Sequence, residues 1–215
     1  MATRKSPERL AAFTDAIVAI AITLLILPLV DAASDEINEG STFGAFFNEH
    51  FGQIGTFLIS FAVIARLWVG HHRIFEHLRS YSPRILMFTI LWSLTIVIMP
   101  LPTAMTANFA LEPGVIGFYI ATMAASSLML TLLVLVIRGS ASEDPDDRLP
   151  LHVLVNSGGT TLLFVLAGIL GVVFPTVNYY ALFILVLSWP LNVIVVRRVH
   201  DRPADSNSRA PRHGA

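Results

Sequence analysis

The chain has no cysteine among its 215 residues. That excludes disulfides, thiolate metal sites and a cysteine nucleophile. Charge is scarce as well: Asp, Glu, Lys and Arg make up 13% of the residues, against about 25% in soluble domains. Apolar residues reach 54% and mean hydropathy is +0.69, a balance that suits lipid as the solvent. The formal net charge of -1 leaves no basic footprint for nucleic acid. Enzyme signatures are missing too: there is no H-E-x-x-H, no G-x-S-x-G and no Walker loop. So little of the chain lies between the apolar runs that no separate soluble catalytic domain is expected.

Positive charge is absent from alternate segments. Six long apolar stretches cut the chain into seven polar ones, and the second, fourth and sixth hold no lysine or arginine. The first, third, fifth and seventh hold all 14: Arg4, Lys5, Arg9; Arg66, Arg73, Arg79, Arg84; Arg138, Arg148; Arg197, Arg198, Arg202, Arg209, Arg212. The bare segments carry Asp31, Asp35, Glu36, Glu39, Glu49 and Glu112 instead. Basic residues collect on the cytoplasmic side of membrane proteins. The pattern predicts an all-α integral membrane protein with six transmembrane helices and both termini cytoplasmic.

A crossing helix needs about 20 apolar residues. The expected spans are residues 10–30, 51–70, 85–105, 115–137, 151–174 and 179–196. Together they make one transmembrane unit, residues 1–199, followed by a disordered cytoplasmic tail, 200–215. Helices are expected because lipid leaves unpaired backbone groups unsatisfied, and the period-two alternation of a barrel is absent. Arg66 is expected near enough to the inner end of the second span to snorkel. The segment from Asp31 to His50 reads as the longest outer loop. The small residues of span four (Ala121, Ala124, Ala125, Ser126, Ser127) and span five (Ser157, Gly158, Gly159, Gly168, Gly171) read as helix-contact faces. Residues 1 to 33 also read loosely as a secretory signal, but Glu8 and Asp15 count against cleavage.

Asp15 is the most unusual residue in the spans. The apolar run after it is too short to cross unaided, so the helix takes Asp15 to the membrane edge, where an ionisable group needs a partner. Arg66, His71 and His72 lie at the same inner level; the alternative is an exposed interfacial residue. Further along, Ile20, Leu24 and Leu27 share one helical face, with Thr23 on a neighbouring stripe. Such a stripe faces lipid, packs, or lines a symmetric pore as stacked apolar rings that select by size and dewetting. His71, His72 and His77 have only Glu76 among them, so no metal site is expected. No cofactor is implied either.

The run Arg9-Leu10-Ala11-Ala12-Phe13-Thr14-Asp15 resembles the R-x-x-x-F-[S/T]-D signature of the transmembrane-protein-175 type of potassium channel. The following A-I-V-A-I-A-I-T-L-L-I-L-P-L and the Trp68-x-x-His71-His72 run resemble its bacterial members, as does the count of six helices. Thr14 stands where serine is usual. The T-V-G-Y-G filter of ordinary potassium channels is absent. The resemblance implies a multi-pass protein of the bacterial plasma membrane, a homotetramer set in lipid with potassium as the permeant ion. The first helix would line the pore, with Ile20 as the narrowest hydrophobic constriction, Leu24 and Leu27 as rings above it and Thr23 as a hydroxyl layer. Arg9, Phe13, Thr14 and Asp15 would form a structural network with Trp68 and one of His71 or His72. Two further readings stand beside it: a secondary cation transporter, against which the uncharged span centres count, and a non-conducting membrane scaffold.

Overall fold

The computed structural model describes residues 6–38, 40–78, 80–108, 112–140 and 150–173, and all regular structure among them is helical. Eight helices follow in order: α1 (Pro7–Leu24), α2 (Leu27–Asn38), α3 (Phe43–Glu49), α4 (Phe51–Glu76), α5 (Pro83–Ile98), α6 (Pro100–Asn108), α7 (Pro113–Ser140) and α8 (Leu151–Val173). Among the described residues, four stretches are long and apolar enough to cross a membrane: Pro7–Glu36, Phe51–Glu76, Pro83–Thr106 and Pro113–Gly139. They coincide with the first four expected spans, and α8 occupies the place of the fifth. The expected sixth span, 179–196, and the tail, 200–215, lie outside the described residues.

Proline divides two of these spans. Pro28 has no N–H to offer the carbonyl of Leu24, and its ring crowds that carbonyl. The chain closes the turn with tighter bonds, Leu25 N–H to Ile22 O at 3.3 Å and Ile26 N–H to Thr23 O at 3.4 Å, before α2 resumes. Pro100 and Pro102 act likewise between α5 and α6, where Met99 N–H reaches Ile96 O at 3.2 Å.

Two expectations change. Residues 31 to 50 do not form a plain loop, because α2 runs on to Asn38 and α3 fills Phe43–Glu49. Gly40, at φ 77°, turns the chain between them in a conformation that side chains resist. Thr42 then starts α3, its Oγ1 accepting from Ala45 N–H at 3.4 Å. The second span was also expected to end at Gly70, yet α4 continues to Glu76. A Cβ on Gly70 would stand 3.1 Å from Leu130 Cδ2 of α7, so this glycine permits a close helix contact and does not stop the helix. The added turns leave Arg66 about 15 Å short of the helix end. Its guanidinium reaches sideways instead and donates to Thr160 Oγ1 of α8 at 2.8 Å.

The long helix α7 packs against α4, α5, α6 and α8, while α1 lies on α4 and α5. Lipid is as apolar as leucine, so helices gain little by hiding apolar surface from it; close fit and hydrogen bonds hold them together. The core is built accordingly, from Ile64, Trp92, Ile96, Met123, Leu133 and Val134 with hydroxyls among them. Ser60 of α4 bonds Thr103 Oγ1 of α6 at 2.9 Å and Tyr119 OH of α7 at 2.7 Å. Ser126 donates to Thr95 of α5 at 2.7 Å. Between α7 and α8, Thr131 bonds Ser157 at 2.7 Å and Ser127 bonds Thr161 at 2.9 Å. Ser126, Ser127 and Ser157, expected on contact faces, do lie there.

Candidate functional site

Two stripes run along α1. Leu10, Thr14, Val18, Ala21 and, just past its end, Leu25 are buried against the bundle. Roughly a third of a turn round the helix, at 100° per residue, lies an open stripe: Arg9, Phe13, Ile20, Thr23 and Leu24, with Leu27 beyond the turn at the start of α2, all exposed in the single chain. Ile20 is 60% exposed, more than Phe13, Leu24 or Leu27. Of the four residues expected to line a pore, Ile20, Thr23 and Leu24 share an exposed face of α1, and Leu27, at the start of α2, is exposed as well. Thr23 turns its hydroxyl back to donate to Ile20 O at 2.8 Å. That bond uses the proton and leaves the oxygen's lone pairs outward.

The expected support network divides into two parts. Its bonded centre is the pair Asp15 and Trp68: the indole N–H donates to Oδ1 at 2.7 Å, clasping α1 to α4. Thr14 beside it is fully buried, donating to Leu10 O at 3.2 Å and Ala11 O at 2.8 Å. The other members do not reach Asp15. Arg9 and Phe13 fall on the open stripe, and Arg9 has no side-chain hydrogen bond or ion pair among the described residues. His72 faces outward, its ring 5.5 Å from that of Trp68, and pairs loosely with Glu76 at 3.7 Å.

His71 takes a different place. It is buried and lies flat on Trp92 of α5, ring centroids 4.2 Å apart and planes 6° from parallel. Phe75 stacks on it as well, at 4.4 Å. The pair His71 and Trp92 thus ties α4 to α5 one turn beyond the clasp that ties α4 to α1. Sequence reasoning missed Trp92 and Thr160. A tryptophan in the middle of an apolar span, away from either interfacial belt, was the available signal for the first; nothing local pointed to the second. Among the described residues no group of His, Asp and Glu is arranged to hold a metal ion.

Residues 9–100 match the family model of the endosomal/lysosomal potassium channel TMEM175. A potassium channel of Streptomyces collinus is 32% identical over 104 residues, 48% of this chain and 49% of its own. One from Chamaesiphon minutus is 32% identical over 105 residues, 49% and 51% of the two chains. The endosomal/lysosomal proton channel TMEM175 of Rattus norvegicus is 33% identical over 113 residues, 50% of this chain and 23% of that one. The alignments thus span about half the length of the bacterial relatives. The fold is similar to that of a solved TMEM175 homolog from Chamaesiphon minutus, described as a lysosomal potassium-selective channel. The TM-score is 0.73 at 22% identity, covering 86% of this chain and 97% of that one. These relatives are channels and not enzymes. Taken with the apolar helices, they make the chain a multi-pass bacterial membrane protein.

Proposed function

We propose that the chain, whose residues 9–100 match the TMEM175 family model, is a bacterial potassium-permeable channel of that type, assembled as a homotetramer in the plasma membrane, with α1 of each subunit lining a central pore. The observation that carries this reading is the open stripe of α1. A helix packed on one side by Leu10, Thr14, Val18 and Ala21 presents Ile20 and Leu24 on another, and Leu27 follows at the start of α2, all three exposed in the single chain. Four copies around an axis turn that stripe into stacked apolar rings.

Such rings discriminate by dehydration. A cation entering the Ile20 ring sheds part of its water and finds no carbonyl or carboxylate to replace it. Potassium holds water less tightly than sodium and passes at lower cost. Thr23 offers lone pairs one layer beyond, and Leu24 and Leu27 extend the dry segment, which conducts or closes by wetting and dewetting. Asp31, Asp35 and Glu36, on α2 beyond the turn that follows α1, raise the local cation concentration. In this arrangement Asp15 and Trp68 hold α1 at a fixed rotation, so that the stripe and not its neighbour meets the axis. Arg9 and Phe13, on the same face, contact adjacent subunits near the pore entrance.

The test is potassium and sodium flux into liposomes holding wild-type protein or Ile20→Asn. The expected result is flux that favours potassium and runs down with its gradient, and a mutant that conducts with the preference weakened. Ion preference unchanged in the mutant removes Ile20 from the filter. Flux that requires a counter-ion gradient indicates a secondary transporter, and no flux from a well-folded oligomer indicates a scaffold.

A further inference from the structure

The short helix α3 has no buried residue of its own. Its phenylalanines are nevertheless arranged with a purpose that the packing of the chain does not use. Phe43 is 81% exposed and Phe47, one turn on, is 44% exposed, their rings 4.8 Å apart. Phe51, which opens α4, is 76% exposed. The other side of α3 shows Ala45, Asn48 and Glu49, all exposed. Phe46 points between these faces and packs on Phe47 and His50. This is a small helix with an aromatic face and a polar back, joined to the bundle at its ends.

A run of exposed aromatics needs a cover, and three facts identify it. First, α3 connects two stretches that cross the membrane, Pro7–Glu36 and Phe51–Glu76, so it lies at a membrane surface. Second, Phe51 continues into the exposed apolar face of α4, Leu58 and Phe61, which has the membrane beside it. Third, Phe is among the side chains that in-plane interfacial helices set into the boundary between headgroups and acyl chains, apolar face down and polar face to water. We propose that α3 is a lipid-seated helix, lying in the headgroup layer with Phe43, Phe47 and Phe51 inserted among the upper acyl chains. The occupant of this face is the bilayer.

Seating has a consequence for α1. His50, at the α3–α4 junction, holds Gln53 Oε1 at 3.0 Å through Nδ1 and faces Glu36 Oε1 of α2 at 3.6 Å through Nε2. Because α2 continues α1 beyond Pro28, a helix fixed in the lipid surface anchors the far end of the same element whose near end is clasped by Asp15 and Trp68.

The absence of cysteine allows a direct test, since one introduced thiol accepts one nitroxide label. Phe43→Cys, Phe47→Cys, Ala45→Cys and Asn48→Cys are each labelled in the full chain in liposomes. Collisions with oxygen, which concentrates in acyl chains, are compared with those of a water-soluble nickel chelate. Oxygen access exceeding nickel access several-fold at 43 and 47, with the reverse at 45 and 48, is the expected result. Equal nickel access at all four positions overturns the proposal. Protection from both reagents at 43 and 47, with dipolar broadening between labels, also overturns it and shows a second copy of the chain on this face. As an independent readout, Phe43→Trp leaves the core untouched and its added fluorescence is quenched by brominated lipid; no quenching sinks the idea.

Discussion

Trp68 and Asp15 are joined across 53 positions of chain by one short hydrogen bond, indole N–H to carboxylate at 2.7 Å. Both groups are partly buried, so neither is freely replaced by water. Trp68→Phe keeps most of the ring and removes the donor. The expected loss is about 1.5–3 kcal/mol, as for hydrogen bonds to charged groups, read as a lower unfolding midpoint in detergent. A double-mutant cycle with Asp15→Asn should return a coupling of about 1 kcal/mol or more. Simple additivity would mean that the pair carries no energy of its own.

The two stripes of α1 separate folding from conduction. Val18 lies in the packed stripe and Ile20 in the open one. Val18→Ala should cost about 1 kcal/mol, the packing share of a large-to-small change, since the transfer share is small where lipid is the alternative. Ile20→Ala should leave protomer stability within about 0.5 kcal/mol, as at exposed positions generally. It should widen the constriction and raise flux for both cations. Unfolding midpoints and liposome flux measured side by side check both halves, and a large stability loss at Ile20 would place it in a packed interface.

Ser60 joins three helices through Thr103 and Tyr119. Interhelical hydrogen bonds in membrane proteins are worth about 0.6 kcal/mol each. Ser60→Ala should therefore cost about 1 kcal/mol, and Ser60→Leu considerably more by overpacking a fully buried position. Chemical unfolding in mixed micelles gives the numbers, and a neutral Ser60→Ala would show that water satisfies the two partners equally well.

His71 and His72 are adjacent in sequence and opposite in expected effect. His71 is stacked between Trp92 and Phe75, and its Nε2 has no hydrogen-bond partner among the described residues. His71→Phe keeps a flat ring and removes an unsatisfied buried nitrogen, so stability should hold within about 1 kcal/mol. His71→Ala leaves a cavity beside Trp92 and should cost about 2 kcal/mol or more. His72 is exposed with a loose partner in Glu76, and His72→Ala should change stability by less than about 0.5 kcal/mol. Equal losses at the two positions would contradict the stacked arrangement.

Span positions were legible because lipid imposes a crude rule. A helix must be long and apolar, and four of the expected spans coincide with helices that meet that rule. Their ends were less legible. Gly70 reads as a stop in one dimension, and only the approach of Leu130 shows it as a contact. Segment 31–50 looks like a loop because its polarity is high, yet Thr42 and Gly40 contain the start and the turn of a short helix. Arg66 looked like an edge residue until α4 proved longer.

Composition and spacing alone determine that the protein lives in lipid, roughly where its first four spans run, and that Ile20 and Leu24 share a face. These properties depend on neighbours within a few turns, and the 3.6-residue repeat carries them. Tertiary structure decides which face of α1 is covered. It also decides that Asp15 finds Trp68, and that His71, not His72, goes inside. Such choices depend on residues dozens of positions away meeting across helix interfaces, where small differences in fit and a few hydrogen bonds select one rotation of each helix over the others.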